Sequence, residues 1–315
     1  MQELLKKIYQ SEINNFNLYL FSKPRNKEKF EVFSTIIDED NVKIDMKKIL
    51  ENQIRNYVSN ENYEIYEYNP LLEDKTIVQK INCNELEYLP KFINKICLDC
   101  AVYDEKDMQP GHELWLYAIV IDDGKEQIIA FQKIRSKTLL KNEKYWISFG
   151  GKKIKRFEEP LLQLEQKMDC ICCLEKNNEI IEQVMYIFDK HQFELIFGFE
   201  RKFRKEIQEM LKNLESNGYD TNLINLSQLY QKVQNNKNHL KKLYVILKND
   251  SFSYLTEENI KKIEDKCGIK FSRPAGKIEL NTHDDVKKLL NFLNDDFLEG
   301  IISEKPFVTS NKRDL

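Results

Sequence analysis

The sequence predicts an α+β fold, with a largely antiparallel central sheet, a helical C-terminal part and a smaller N-terminal α/β domain. Three observations support this prediction. A hairpin signal follows residue 112, further strand-like segments come after it, and apolar residues take helical spacing after Gly198. Because short turns cannot join parallel strands, a meander of this kind is antiparallel by default.

The first hundred residues alternate strand-like and helix-like segments. Residues 16–21 and 30–37 are rich in aromatic and β-branched side chains, which favours strands. Apolar residues recur at helical spacing within 45–57 and within 86–100, which predicts two helices. The N-terminal part is therefore expected to be an α/β domain.

A loop at residues 103–111 contains an acidic run and a Pro-Gly pair, and it is the best candidate for a domain boundary. We therefore predict an N-terminal domain at 1–105 and a second domain at 106–315. Within the second domain, we place the sheet at 112–197 and the helices at 199–299.

The predicted sheet begins with a hairpin. Residues 114–121 form an almost unbroken apolar run, Asp122-Asp123-Gly124 supplies the turn, and residues 127–134 return. Strand-like composition continues in three further segments, at 145–149, 168–174 and 184–188.

After Gly198 the pattern becomes helical. One helix face carries Phe203, Ile207, Met210 and Leu214. Further helices are predicted at 240–247 and 257–263. The last predicted helix begins at Thr282 with a sequence that resembles a capping box, and its apolar face consists of Val286, Leu289, Leu290, Leu293 and Phe297.

Composition limits the possible functions. The 315 residues include 49 Lys and Arg against 52 Asp and Glu, so nucleic-acid contact would require a local basic patch. The N-terminus indicates an amphipathic helix rather than a signal peptide, and no apolar stretch is long enough to span a membrane. Seven cysteines without framework spacing predict reduced thiols in the cytosol.

Motifs of several enzyme classes are absent from the sequence, including nucleotide-binding glycine loops, the zinc-protease helix and the nucleophile elbow. The histidines lack ligand spacing and are expected to be exposed or lightly buried: His112, His191, His239 and His283. We predict no cofactor and no metal.

The cysteines also have a structural explanation. Cys97 and Cys100 have the spacing of a redox pair or half a zinc site, but both lie near the apolar face of a predicted helix. Cys170 and Cys172 share one face of a predicted strand, and Cys173 follows them. We therefore expect the cysteines to act as small buried hydrophobic residues.

The most distinctive stretch is a basic segment around Gly150-Gly151, where residues 141–156 contain six Lys or Arg and one Glu. Clustered cations bind phosphates, flat side chains stack on bases or sugars, and adjacent glycines allow close backbone approach. The alternative is a solvated hairpin whose lysines only maintain solubility. The predicted DNA-contacting residues are Lys144, Tyr145, Trp146, Lys152, Lys153, Lys155 and Arg156.

A second basic group lies in the first turns of the helix near Glu200, where the helix dipole would favour anions. This local conflict indicates a surface that meets phosphate. The alternative is that the i,i+4 pairs Glu200–Arg204 and Lys202–Glu206 satisfy these charges. The predicted DNA-contacting residues are Arg201, Lys202, Arg204 and Lys205. A weaker third cluster consists of Lys237, Lys241 and Lys242.

A metal-dependent nuclease is the second functional hypothesis. Asp189, Glu194 and Glu200 would supply carboxylates for Mg²⁺, and Lys202 would orient the attacking water. The signal is weak because acid-x-Lys recurs throughout the chain and because Glu200 begins a predicted helix. A scaffold that binds only protein is the third class.

Two passages resemble the KwaB-like family of the Kiwa bacterial antiphage defence system. One is Leu-Leu-Asn-Phe-Leu-Asn-Asp-Asp-Phe-Leu at 289–298, which runs on through Lys305-Pro306-Phe307 to Lys312. The other is Phe-Glu-Leu-Ile-Phe-Gly-Phe at 193–199. The resemblance covers roughly residues 110–315. Within its C-terminal passage, Asp295 and Asp296 either hold a structural turn or face a partner, and we favour the structural role.

The resemblance implies a cytoplasmic homo-oligomer, a dimer or larger, that is recruited to the inner face of the cell membrane by a membrane protein, KwaA. It further implies binding of phage DNA, which blocks replication and late transcription, and no small-molecule substrate. The family passages contain no contact motif, so the predicted DNA-contacting residues depend on charge and aromatic placement alone. The leading hypothesis is thus a non-enzymatic DNA-binding defence protein.

Overall fold

The computed structural model describes residues 1–24, 30–34, 40–59, 64–73, 77–96, 100–101, 112–134, 168–175, 183–216, 223–299 and 306–308. The α-helices in this part of the chain are α1 (Gln2–Gln10), α2 (Asp40–Val58), α3 (Leu89–Ile96), α4 (Lys190–Ile196), α5 (Phe199–Ser216), α6 (Leu226–Val233), α7 (Lys237–Lys248), α8 (Glu257–Cys267) and α9 (His283–Leu293). The strands are β1 (Phe16–Pro24), β2 (Glu31–Ser34), β3 (Ile65–Glu67), β4 (Val78–Asn82), β5 (His112–Asp122), β6 (Glu126–Lys133), β7 (Cys170–Glu175), β8 (Val184–Ile187), β9 (Phe297–Glu299) and β10 (Pro306–Val308).

Eight strands form one sheet in the order β2-β1-β5-β6-β7-β8-β4-β3. Its described pairings are antiparallel apart from β3 with β4, which are parallel. Strands β9 and β10 pair separately. The predicted α+β fold, with a largely antiparallel sheet, an α/β N-terminal region and helices in the C-terminal half, is confirmed. The predicted strand at 145–149 lies outside the described residues.

The chain divides into two compact units. The sheet unit comprises Met1–Tyr68 and Lys75–Phe197, and the helical unit comprises Asn69–Asp74 and Gly198–Leu315. The main division therefore follows Phe197, whereas the sequence predicts a boundary near residue 105. The physical reason is hydrogen bonding, since β1 pairs with β5 and β4 pairs with β8 in one sheet.

The β5–β6 hairpin lies in the middle of this sheet, and its turn forms where the sequence predicts it. Gly124 has φ of 87°, a conformation that glycine adopts readily. The Asp122 carboxylate accepts the Gly124 N–H at 2.9 Å, and Asp123 accepts the N–H groups of Lys125 and Glu126. These two backbone hydrogen bonds hold the pKa of the Asp123 carboxyl below its ordinary value.

Both faces of the sheet are buried at its central strands, β5 and β6. On one face, Leu4 of α1 and Leu50 of α2 share a core with Leu20, Ile119 and Ala130 of the central strands. Because α1 is amphipathic, it buries Leu4 and Ile8 against this core, as the sequence indicates, while Lys7 pairs with Glu126 of β6 at 2.6 Å.

The opposite face carries an aromatic cluster. The ring of Phe92 in α3 lies 5.5 Å from Phe21, 5.6 Å from Phe131 and 5.7 Å from Phe197, measured between centroids. Trp115 packs against Phe92 at 6.2 Å. Since neither face meets water here, consecutive residues of β5 are apolar, which explains the unbroken run at 114–121.

The helical unit is organised by side-chain caps. Asn225, Asn236, Thr256 and Thr282 each accept a backbone N–H in the first turn of the helix that follows. Thr282 and Asp285 form the reciprocal capping box that the sequence predicts at the start of α9. Caps of this type fix where each helix begins.

The C-terminal end of α9 is held by a buried ion pair. Lys242 of α7 donates to the Asp296 carboxylate and to Asn291 Oδ1, the latter at 2.5 Å. Asn294 donates to the other Asp296 oxygen at 2.6 Å. The Asp296 side chain is fully buried, and that of Lys242 is 13% exposed. The structural role favoured for Asp296 is confirmed.

Removing the negative charge of Asp296 should strongly destabilise the fold. Asp296→Asn preserves the size of the side chain but leaves the Lys242 ammonium buried without a counter-charge, so the free energy of unfolding should fall by about 3–5 kcal/mol. The change in the urea unfolding midpoint measures this effect.

Asp284→Asn is the matched control. Asp284 pairs with Lys288 at 2.7 Å, but its side chain is 65% exposed, so its replacement should cost about 0–1 kcal/mol. Equal losses in both variants would contradict the importance of burial at Asp296.

Candidate functional site

Four of the predicted DNA-contacting residues lie in the first turns of α5. This helix buries one apolar stripe, which consists of Phe199, Phe203, Ile207 and Leu211. The spacing of 3.6 residues per turn then places Arg201 and Lys205 on the exposed side. Lys202 and Arg204 flank the stripe and are half-buried. The structure thus places Arg201 and Lys205 on the outward surface of α5, and Lys202 and Arg204 at the two edges of its buried stripe.

Two of these cations have ion-pair partners on the same helix. Arg204 Nη2 lies 3.0 Å from Glu200 Oε1, and Lys202 Nζ lies 3.8 Å from Glu206 Oε1. Both i,i+4 pairs proposed as the alternative from sequence are therefore confirmed. Lys202 Nζ also lies 5.4 Å from the centroid of the Phe199 ring, within the range of a cation–π contact.

A fifth cation comes from a second helix. Lys237, in the first turn of α7, places its Nζ 3.2 Å from Glu200 Oε2, and its side chain is 61% exposed. Burial tends to raise the pKa of the Glu200 carboxyl, but Arg204 and Lys237 outweigh it and hold that pKa below its ordinary value. We call Arg201, Lys202, Arg204, Lys205 and Lys237 the α5–α7 basic surface.

The weaker third cluster does not act as a unit. Lys237 belongs to the α5–α7 basic surface, whereas Lys242 points into the helical unit and pairs with buried Asp296. Lys241 is half-buried. The interpretation of these residues as one exposed basic cluster is wrong for Lys242, because helical geometry turns it towards α9.

The other predicted contact segment lies outside the described residues. This applies to every residue proposed there: Lys144, Tyr145, Trp146, Lys152, Lys153, Lys155 and Arg156. Their assignment as DNA contacts stays a prediction from charge and aromatic placement.

The carboxylates of the nuclease hypothesis have structural contacts. Asp189 caps α4 by accepting the Gln192 N–H at 3.0 Å. Glu194 is buried and accepts the Tyr68 hydroxyl at 2.9 Å. Glu200 binds Arg204 and Lys237. Within the described ranges, no group of three or more His, Cys, Asp or Glu side chains is arranged to hold a metal ion.

Two of the three cysteines on β7 behave as buried apolar residues, as predicted, whereas Cys173 is half-buried and contacts Lys7 and Glu126. Cys170 and Cys172 are fully buried. Burial raises the pKa of the Cys170 thiol well above its ordinary value, and a hydrogen bond with Cys83 together with burial does the same for Cys172. Cys97 lies outside the described residues, and Cys100 Sγ donates to the Lys95 carbonyl at 2.8 Å.

Two histidines form a pair that sequence spacing did not reveal. The rings of His239 in α7 and His283 in α9 lie 4.5 Å apart between centroids. Nδ1 of His239 is buried and has no hydrogen-bond partner among the residues that the structure describes. Burial, followed by the positive charges of His283, Lys242 and Lys287, lowers the pKa of His239 to about 4. In the sequence, the two histidines share one feature, which is that each lies near the start of a helix.

Comparison with known proteins identifies the family. The family described as Kiwa protein KwaB-like matches residues 112–303, more than half of the chain. The chain belongs to this family. The KwaB-like match begins at β5 and includes both predicted basic segments. No curated protein and no solved structure matches the chain. In the described residues of this KwaB-like chain, no helix has the length and apolar character needed to cross a membrane.

The histidine pair predicts a defined pH dependence. An unfolded chain takes up a proton at His239 near its ordinary pKa of 6.5, whereas the folded chain does so only near pH 4. The stability contribution is therefore complete above pH 6.5 and is lost as the pH falls towards 4. His239→Phe should flatten this part of the profile. Urea midpoints between pH 7 and 4 measure it, and parallel profiles for the two proteins would contradict the shift.

Proposed function

We propose that this KwaB-like chain is a non-enzymatic, DNA-binding component of Kiwa antiphage defence. In this proposal it binds phage DNA and blocks replication and late transcription. It acts in the cytoplasm as a homo-oligomer and is held at the inner face of the membrane by a KwaA-like partner. The observation that carries the proposal is the family match, which spans two dense clusters of cations.

The α5–α7 basic surface supplies physical support for DNA binding. This surface gathers five cations from two helices, and three of them, Lys202, Arg204 and Lys237, pair with Glu206 or Glu200. Each cation that neutralises a DNA phosphate releases condensed counterions, so such a surface favours polyanions at low salt. Contacts from such cations to phosphates position a duplex on the protein but carry no direct sequence information.

The first test concerns the basic segment around Gly150-Gly151. A combined reversal to Glu of Lys152, Lys153, Lys155 and Arg156 should abolish retention of duplex DNA without unfolding the chain. Fluorescence anisotropy with a labelled duplex measures binding, and the urea midpoint checks folding. Unchanged affinity at low salt would remove this segment from the interface.

A parallel variant tests the helix. Arg201→Glu with Lys205→Glu should weaken binding at least about tenfold at low salt and reduce the slope of log affinity against log salt by about 2. Lys261→Glu with Lys262→Glu, on the exposed side of α8, makes the same change in net charge and should have a much smaller effect. Equal losses in both double variants would indicate long-range charge rather than local contact.

The non-enzymatic part of the proposal has its own test. Purified protein incubated with linear and supercoiled DNA and with Mg²⁺ or Mn²⁺ should leave both substrates intact on an agarose gel. Cleavage that disappears in Glu200→Ala would establish the nuclease hypothesis instead. A protein that shifts no DNA at any salt concentration would instead fit a scaffold that binds only protein.

A further inference from the structure

One carboxylate on the α5–α7 basic surface joins two cations from different helices. Arg204 of α5 lies 3.0 Å from Glu200 Oε1, and Lys237 of α7 lies 3.2 Å from Glu200 Oε2. The two oxygens of Glu200 therefore occupy the point where a guanidinium and an ammonium converge. Arginine and lysine placed in this way also suit the oxygens of a phosphate group.

This arrangement is open enough to exchange partners. Side-chain exposures are 43% for Glu200, 33% for Arg204 and 61% for Lys237. Ion pairs at such exposure contribute little to stability because water screens them and because long side chains lose entropy. A phosphodiester brings its own negative charge and releases counterions, so it can replace the carboxylate as the partner of both cations.

The second ion pair on α5 is less exposed to solvent. Lys202 lies 3.8 Å from Glu206, and its side chain is 16% exposed and also lies near the Phe199 ring. Glu206 has one described cation as its partner, whereas Glu200 has two. Glu206 therefore provides a comparison with the same residue type, charge and helix.

We propose that Arg204 and Lys237 form a phosphate subsite and that Glu200 occupies it as an internal competitor in the unbound protein. Binding transfers both cations from the Glu200 carboxylate to one backbone phosphate. This inference rests on the proposed function, since it specifies where on the α5–α7 basic surface a phosphodiester is held. Glu200 then lowers affinity for any polyanion that cannot supply a phosphate at this point.

Removing the competing charge should strengthen binding. Glu200→Gln keeps the size of the side chain, so affinity for a labelled duplex should rise about three- to tenfold at fixed salt, as expected for the loss of two exposed ion pairs. Glu206→Gln removes the same charge from the same helix and should raise affinity less than half as much. Lys237→Met should cost more affinity in the Glu200→Gln background than in the unchanged protein.

A second readout uses the unchanged protein and does not depend on a variant that folds. NMR titration of the Glu200 carboxyl should show its pKa rise when the duplex binds, because both cations leave it and a phosphate arrives nearby. A pKa that stays the same or falls would overturn the subsite.

The outcomes separate this inference from the proposed function. If Glu200→Gln and Glu206→Gln strengthen binding equally, the effect is general charge and the subsite is wrong, while DNA binding stands. If Glu200→Gln weakens binding, Glu200 positions the cations and is not a competitor. If the unchanged protein binds no duplex at any salt concentration, the proposed function itself fails, and the subsite fails with it.

Discussion

Burial of the central strands of the sheet on both faces is the constraint on which the rest of the sheet unit depends. A central strand covered on both sides cannot alternate apolar and polar residues, so β5 is apolar at nearly every position. One face then requires α1 and α2, and the other requires the rings around Phe92. Strand pairing, helix placement and the hydrophobic pattern all follow from this requirement.

Charged groups in the helical unit are used in two different ways. Lys242 and Asp296 are buried, and their pairing fixes how the chain leaves α9. Arg204, Lys237 and Glu200 remain accessible to water, and exposed ion pairs of this kind contribute little to stability. The same chemical groups thus stabilise the fold in one place and form an exposed charged surface in another, because solvent exposure differs.

The residues that match the KwaB-like family and the residues that form the sheet cover different ranges of the chain. The match begins at the first residue of β5, yet β1 and β4 complete the same sheet by pairing with β5 and β8. Both basic segments fall within the matched residues. The two basic segments therefore belong to the family region, while the strands that precede it extend the sheet and helices α1 and α2 cover one of its faces.

Local sequence determined the elements whose causes are local. The turn at Asp122-Asp123-Gly124, the apolar stripe of α5, its i,i+4 ion pairs and the capping box at Thr282 all depend on residues within about one helical turn or one hairpin. The four cations of α5 could be predicted for the same reason. Periodicity alone places them outside the buried stripe.

Tertiary structure decided the features that join distant residues. The insertion of β1 to β4 into one sheet, the inward turn of Lys242 towards Asp296, the contact of His239 with His283, and the addition of Lys237 to Glu200 involve no shared local pattern. The physical reason is that the local sequence around a strand or a charged residue does not indicate which distant residue it will pair with. The sequence by itself determined an α+β protein with two basic segments, and only the packing of α7 beside α5 gave one of them a point where two cations converge.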